Sequence, residues 1–235
     1  MIVRLVDCRL PEAYLEGHVP GAVHIDRERD LTGELGDLSR GRHPLPTAGD
    51  FAAAASRAGI GAGTFVLAYD AGEGWAQRLW WLLRHFGHDA AGTFDLRGYA
   101  GPLDSGEPHV ETAEFVPRER DDDTIAAEEI HARLGDPTLV LADARSSERW
   151  RGDVEPLDPV AGRIPGAVNA YFEQPLPAGL LDATEVAVYC GSGVTACVPL
   201  QRLILAGRGD ARLYPGSFSE WCRRNGYPIE RSEAG

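Results

Sequence analysis

The sequence contains no lysine, one methionine and only four cysteines among its 235 residues. All 23 basic residues are therefore arginines, and with 36 acidic residues the formal net charge is −13. Nucleic-acid binding depends on clustered basic charge, so this balance argues against a nucleic-acid partner. An anionic small substrate would need a locally positive site on an acidic background.

Long hydrophobic runs are also missing. No apolar run approaches the ~18 residues that span a bilayer. The N-terminus, MIVRLVDCRL, lacks the order of charge and apolar residues that is typical of a signal peptide. We therefore predict a cytoplasmic protein with no membrane contact.

The cysteines form no CxxC pair and have no histidine-rich spacing beside them, which argues against a structural zinc. A disulfide framework is improbable in a chain of this length without a secretory signal. We expect reduced thiols, no metal and no cofactor. The four thiols are those of Cys8, Cys190, Cys197 and Cys222.

Two copies of one pattern run through the chain. The stretch VDCRLPEAYLEGHVPGAVHID from Val6 resembles the stretch from Ala142 that contains ADARSSERWRG and GRIPGAV. Further on, FVLAYDAGEGWAQ from Phe65 resembles VAVYCGSGVTACV from Val186. Strands alternating with helices predict an α/β fold of two tandem domains, each a mainly parallel sheet flanked by helices. We predict domains over residues 1–102 and 124–235, with a linker over 103–123.

Local signals predict several elements. A strand is expected over residues 2–6. In the second copy, Thr124 is a candidate N-cap for a helix over residues 125–134. A buried strand over residues 186–189 should precede a glycine loop and a helix that begins near Val194.

The residue at the end of that strand is Cys190, in the segment VYCGSGVTA. Ligands of parallel sheets sit at the carboxyl ends of strands. Glycines at positions 191 and 193 allow backbone conformations forbidden to other residues, so successive N–H groups can form an anion nest. The following helix N-terminus adds positive partial charge, and together these features favour the reactive thiolate. We predict that Cys190 is a nucleophile.

The corresponding position of the first copy holds Asp70, which cannot act as a sulfur nucleophile. Only the second domain should therefore be catalytic. Core packing is the better interpretation of Cys197 and Cys222, and no role is assigned to Cys8.

The HVPGA and RIPGA turns, the DAR motif and the CGSGVTA loop together resemble the tandem-domain rhodanese (sulfurtransferase) family over nearly the whole chain. The loop is similar to that of 3-mercaptopyruvate sulfurtransferases, because Gly191 and Ser192 stand where thiosulfate-preferring relatives tend to carry basic residues. The resemblance implies that Cys190 takes a sulfur atom from a small-molecule donor as a persulfide. It would pass that sulfur to cyanide or to an acceptor thiol such as thioredoxin or a low-molecular-weight thiol.

The resemblance also implies roles around the loop. Arg149 would bind the donor carboxylate, and Ser192 would assist proton transfer unless it is only a turn hydroxyl. The remaining loop positions would contribute to substrate binding. They are Gly191, Gly193, Val194 and Thr195.

Other expectations concern residues outside the loop. Arg145 is expected to be mainly structural. Family members often carry a second substrate arginine where this chain has Asp158, and Arg151 or Arg163 could substitute for it. His18 resembles a first-domain histidine that meets the serine across the domain cleft, although stabilisation of its own turn competes with that role. The segment HPLP at residues 43–46 resembles the family's HMLP-like segment and is predicted to be a structural loop.

Three alternatives remain beside the mercaptopyruvate hypothesis. Thiosulfate could be the preferred donor, or the protein could carry a persulfide without turnover. A dual-specificity phosphatase is disfavoured because its phosphate-binding arginine, six residues after the cysteine, is replaced by Ala196. Tyr189 also precedes the cysteine where those enzymes have histidine.

Overall fold

The computed structural model describes residues 2–232, and these form two compact units. The first unit combines residues 2–33 with Leu45–Arg120, and the second combines Glu34–Pro44 with residues 121–232. This division differs from the predicted boundaries. Residues 103–120 of the predicted linker group with the first unit, whereas Glu34–Pro44 groups with the second.

The first unit is built on a four-stranded, fully parallel sheet in the order β2-β1-β3-β4. Its longest helix, α3, carries apolar side chains on most of its surface, so it is buried almost throughout. A second helix, α2, begins after Thr47, whose hydroxyl caps it by accepting a hydrogen bond from the Asp50 N–H. The elements are β1 (Ile2–Asp7), α1 (Pro11–Glu16), β2 (Val23–His24), α2 (Ala48–Arg57), β3 (Thr64–Asp70), α3 (Trp75–His85), β4 (Ala91–Asp95) and a 3-10 turn (Leu96–Gly98).

The second unit repeats this topology with the parallel order β6-β5-β7-β8. The predicted α/β fold with two parallel sheets is confirmed. The elements are a 3-10 turn (Leu38–Arg40), α4 (Ala127–Ala132), β5 (Leu139–Asp143), α5 (Ser147–Arg151), β6 (Val168–Asn169), β7 (Glu185–Tyr189), α6 (Cys197–Leu205), β8 (Arg212–Leu213) and α7 (Ser217–Trp221).

Two predicted helix starts are wrong. The helix expected from residue 125 begins at Ala127, because Thr124 pairs with Leu213 in an extended bridge and the Ile125 N–H donates to the Leu213 carbonyl. Thr124 is therefore not its N-cap. The helix expected from Val194 begins at Cys197, because the preceding residues form the loop around Cys190.

An aspartate–arginine clasp occurs once in each unit. In the first, Nη2 of Arg9 donates to Asp7 and to the Gly17 carbonyl, both at 2.6 Å. In the second, Nη2 of Arg145 donates to Asp143 at 2.6 Å and to the carbonyl of residue 162 at 2.7 Å. Both clasps tie the end of a strand to the turn that precedes the next strand. Within residues 2–232, every helix is too short or too polar to cross a bilayer.

Candidate active site

Cys190 is the first residue after strand β7 and is held from both sides of its backbone. Its N–H donates to the Ser217 hydroxyl at 3.2 Å, and its carbonyl accepts from the Phe218 N–H at 3.0 Å. Both partners lie at the start of α7. The cysteine is therefore fixed at the carboxyl edge of the parallel sheet, where ligands of such sheets bind.

The Cys190 sulfur lies inside a cradle of backbone amides. The N–H groups of Ser192 and Gly193 donate to Sγ at 3.4 and 3.1 Å. Gly193 has a φ of 81°, in the left-handed region that glycine adopts without strain. Because the Cys190 residue is only 1% exposed, these amides rather than water are the polar groups that the sulfur meets.

Gly191 has a different reason to be glycine. Its φ lies outside the left-handed region, so the expectation of special backbone freedom is wrong at this position. A β carbon here would lie 2.7 Å from Nη2 of Arg42 and 3.4 Å from Nη2 of Arg149. The missing side chain leaves room for two guanidinium groups beside the cysteine loop.

Ser192 shares a hydrogen bond of 2.7 Å between its Oγ and Nδ1 of His43. His43 lies in the segment predicted to be only a structural loop. The contact spans 149 residues of sequence, so local patterns could not reveal it. The one available signal was the likeness of residues 43–46 to the family's HMLP-like segment.

His18, the histidine that the resemblance assigned to Ser192, contacts Tyr14 within the first unit. Its Nδ1 bonds to the Tyr14 carbonyl at 3.0 Å, and its ring stacks on Tyr14 with centroids 4.1 Å apart. It is 1% exposed within the first unit. This geometry fits the competing interpretation, in which His18 stabilises its own turn.

Arg149 projects from α5 toward the cysteine loop. Its Nη2 donates to Oε1 of Glu155 at 2.6 Å, and its Nε donates to Oε2 at 3.2 Å. The same Nη2 lies 3.7 Å from Oδ2 of Asp158. The guanidinium is therefore held in place, beside the backbone of Gly191.

Asp158 is the centre of a cluster of arginines. Its side chain is fully buried, and its Oδ1 accepts hydrogen bonds from Nη1 of Arg42 and, at 2.8 Å, from Nη1 of Arg223. Arg149 and Arg145 both donate to Glu155, and Arg145 is also paired with Asp143, so four guanidinium groups face three carboxylates here. The excess of one positive charge makes this locality suitable for an anion in an otherwise acidic protein.

The other predicted arginines lie in structural contacts. Arg145 is 2% exposed in its clasp, and its guanidinium stacks over Phe218 at 4.0 Å. Arg151 forms an exposed pair with Asp153. Arg163 pairs with Glu230 and stacks on the Trp150 ring.

Val194 and Thr195 complete the loop. Their carbonyls accept the N–H groups of Cys197 and Val198, at 3.0 and 3.2 Å. They therefore shape the junction between the cysteine loop and α6, with Val194 only 5% exposed.

The remaining cysteines have different surroundings. Burial, with Asp70 and Asp7 nearby, raises the pKa of the Cys8 thiol well above its usual value. Burial raises the pKa of Cys222 to about 11. The Cys197 thiol donates to the Gly193 carbonyl at 3.5 Å. Raised pKa values disfavour the reactive thiolate at Cys8 and Cys222. At Cys190, by contrast, two backbone amides donate to the sulfur.

The structure combines two α/β repeats, each on a parallel sheet, with a cysteine in an amide-lined loop at the end of β7. The model of the rhodanese-like domain family matches residues 1–99 and 126–224. The chain therefore belongs to the rhodanese-like family, as its motifs predicted.

Similar proteins agree on the reaction class. A Pseudomonas aeruginosa protein named "Probable 3-mercaptopyruvate sulfurtransferase" is 39% identical, with 96% of this chain and 91% of the relative covered. A Mycobacterium tuberculosis protein with the provisional name of thiosulfate sulfurtransferase SseB is 37% identical, with 94% and 86% covered. The crystal structure of SseA from Escherichia coli, a 3-mercaptopyruvate sulfotransferase by its description, superposes with a TM-score of 0.78 at 26% identity over 92% of both chains. The prediction of a sulfurtransferase is confirmed.

Proposed function

We propose that the protein transfers sulfur from 3-mercaptopyruvate to a thiol acceptor through a persulfide on Cys190. The observation that carries this proposal is the Ser192–His43 hydrogen bond in the loop that cradles the Cys190 sulfur. A proton donor in this position has a task only if the departing group must be protonated.

In the first step, the Cys190 thiolate attacks the sulfur of the donor thiol. A sulfur–sulfur bond forms and the carbon–sulfur bond of the donor breaks. The electron pair of that bond passes to the donor's C3 and is delocalised as the enolate of pyruvate. The enolate takes a proton from the Ser192–His43 pair and leaves as pyruvate, while Cys190 keeps the persulfide.

In the second step, an acceptor thiolate attacks the outer sulfur of the persulfide. The bond to Cys190 breaks, and its electron pair returns to the cysteine as thiolate. The N–H groups of Ser192 and Gly193 stabilise that thiolate in both the first and the last state of the cycle.

Arg149 supplies the binding interaction for the donor. A guanidinium presents parallel N–H groups that match a carboxylate. Glu155 fixes its orientation through two hydrogen bonds, so little side-chain freedom is lost when a donor binds.

Thiosulfate is the second candidate donor. The arginine cluster around Asp158 favours anions in general, and the mycobacterial relative carries that donor in its name. Attack on thiosulfate releases sulfite, which needs no protonation at carbon. The Ser192–His43 pair would then have no part in the first step.

Steady-state kinetics with the two donors test the proposal. We expect the larger kcat/KM for 3-mercaptopyruvate, with cyanide or a dithiol as acceptor. A much larger kcat/KM for thiosulfate would overturn the donor assignment while leaving the sulfurtransferase class intact.

For the acceptor, we propose a reduced thiol, either thioredoxin or a low-molecular-weight thiol, in the cytoplasm. The second step needs a nucleophile for the outer sulfur, and a reduced thiol supplies one as its thiolate; all four cysteines of the protein are likewise free thiols. Turnover coupled to thioredoxin and thioredoxin reductase checks the first acceptor. Cell fractionation checks the compartment.

A further inference from the structure

Arg42 is anchored to the segment that also supports the cysteine loop. Its backbone N–H donates to the Ser219 hydroxyl at 3.1 Å, and the Ser219 N–H donates to the Gly191 carbonyl at 2.9 Å. The preceding Gly41 packs so closely against Gly216 that a β carbon would lie 2.5 Å from the Gly216 carbonyl oxygen. These contacts fix the start of the Arg42 side chain relative to the loop.

The Arg42 guanidinium has two differently engaged terminal nitrogens. Nη1 bonds to the buried Oδ1 of Asp158. Nη2 lies beside Gly191, where it and Nη2 of Arg149 both come within 3.5 Å of the position that a β carbon would occupy. Two guanidinium groups therefore converge on one point next to Cys190.

Asp158 does not fully neutralise the positive charge of Arg42. The same Oδ1 of Asp158 also accepts from Arg223, which donates to the Ser219 carbonyl as well and is thereby directed to the anchor. Arg223 balances Asp158, Glu155 balances Arg149, and Asp143 balances Arg145, so one positive charge of the cluster is left for a ligand.

We propose that Arg42 is the second donor-binding guanidinium of this site and that Asp158 is its positioning residue. The proposal rests on the proposed function and assigns the ligand class as an α-keto acid. One guanidinium binds the carboxylate, and the other donates to the keto oxygen, on which negative charge grows as the enolate forms. Asp158 thus binds Arg42, which lies in the segment Glu34–Pro44. Arg151 and Arg163, the substitutes expected from sequence, lie in other contacts.

Two measurements on the Arg42→Ala variant test this. The KM for 3-mercaptopyruvate should rise about 10- to 100-fold, because a charge-assisted hydrogen bond to the donor is lost. Pyruvate binding should weaken by a similar factor when it is measured by calorimetry in the Cys190→Ser background. The Arg42→Lys variant should fall between, because it keeps the charge without the planar fork.

Arg151→Ala is the matched control, because it removes an arginine of the same unit from an exposed ion pair. It should leave both the KM and pyruvate affinity unchanged. Asp158→Asn should weaken pyruvate binding while Arg42 is still present, since the anchor loses its charge.

A purely anchoring role for Arg42 predicts a different result. If Arg42 served only to anchor its segment, its loss would displace the neighbouring His43 and lower kcat. Pyruvate affinity would then be the same in the parent and the variant. That outcome would overturn the proposal. If the parent protein formed no persulfide from 3-mercaptopyruvate, the proposed function would fail, yet the calorimetric comparison would still decide whether Arg42 binds a keto acid.

Discussion

The two repeats build the same loop around different hydrogen-bond acceptors, a carboxylate in the first and a sulfur atom in the second. In the first unit, Asp70 ends β3 and its carboxylate accepts three backbone hydrogen bonds, at 2.8, 2.6 and 3.1 Å. The donors are the N–H groups of Gly72, Trp75 and Ala76. In the second, Cys190 stands at the matching place, and amides of its loop donate to sulfur. The fold thus provides an anion-holding loop, and the residue inside it decides whether chemistry is possible.

The structural clasp is retained in both repeats, whereas the substrate groups occur in one. Asp7 with Arg9 and Asp143 with Arg145 make equivalent hydrogen bonds. At the same distance along the first helix, however, Ala13 stands where the second repeat has Arg149. The ion pair that supports the fold is therefore common to both repeats, whereas the candidate donor-binding arginine occurs only in the second.

The largest effect is expected for Cys190→Ser. Sulfur transfer should fall by at least about 10³-fold, because the hydroxyl is neither ionised nor able to hold a sulfane sulfur. The matched control is Cys8→Ala. Cys8 corresponds to Ala144 in the second repeat, so the variant introduces the residue that the other repeat already has. The control should keep its activity in the same assay. Comparable losses of sulfur transfer in both variants would show that the two repeats do not differ in their catalytic role.

Ser192→Ala should lower kcat for 3-mercaptopyruvate about 10²-fold, the contribution typical of a positioned proton donor. The first repeat has Gly72 at this place, so a hydroxyl is not needed to form the loop. Turnover with thiosulfate should change much less, because sulfite needs no proton at carbon. Equal losses with both donors would show that Ser192 maintains the loop rather than delivers a proton.

Arg149→Ala should lower kcat/KM for 3-mercaptopyruvate about 10- to 100-fold, because a charge-assisted hydrogen bond to the donor is lost. Alanine is the residue that the first repeat has at the corresponding position, Ala13. Glu155 keeps a hydrogen bond from Arg145 at 3.2 Å, so the loop should remain folded. Kinetics together with a thermal unfolding curve check this. An unchanged kcat/KM would remove Arg149 from the donor site.

Asp70→Ala should change stability rather than chemistry. Three amide groups of the first unit lose their acceptor, which should lower the free energy of unfolding by about 1–3 kcal/mol. The control is Asp95→Ala, which removes a half-exposed carboxylate that pairs with Arg97 and accepts one backbone hydrogen bond, so it should cost about 1 kcal/mol and less than Asp70→Ala. Urea unfolding measures both. Equal stability of the two variants would mean that the Asp70 loop is not held by its carboxylate.

The sequence predicted the features that lie close together along the chain. The repeat, the parallel sheets and the cysteine at a strand end follow from local patterns, and Asp–x–Arg motifs marked the clasps. His43 and Arg42 escaped prediction as site residues because their partners are more than a hundred residues away. The sequence places Gly191 in the loop, but a glycine is needed there because Arg42 and Arg149 approach its backbone, which only the fold reveals.

Helix starts were predicted less accurately than strands for a related reason. The strand expected over residues 186–189 is observed as Glu185–Tyr189, since a buried apolar run has few alternatives. The helix after the loop starts at Cys197, three residues later than expected. Between residue 194 and the helix the chain makes turns with bonds between residues three apart, from the Cys197 N–H to the Val194 carbonyl and from the Val198 N–H to the Thr195 carbonyl. Apolar periodicity does not distinguish such a turn from the first turn of a helix.

The proposed mechanism places the transferred sulfur on one atom, the Sγ of Cys190. Peptide mass spectrometry after incubation with 3-mercaptopyruvate, without an acceptor, tests it most directly. We predict one added sulfur atom on the peptide that contains Cys190, and none on those that contain Cys8, Cys197 or Cys222. Added sulfur on another cysteine, or an unmodified Cys190 in a protein that turns over the donor, would show that Cys190 does not carry the transferred sulfur.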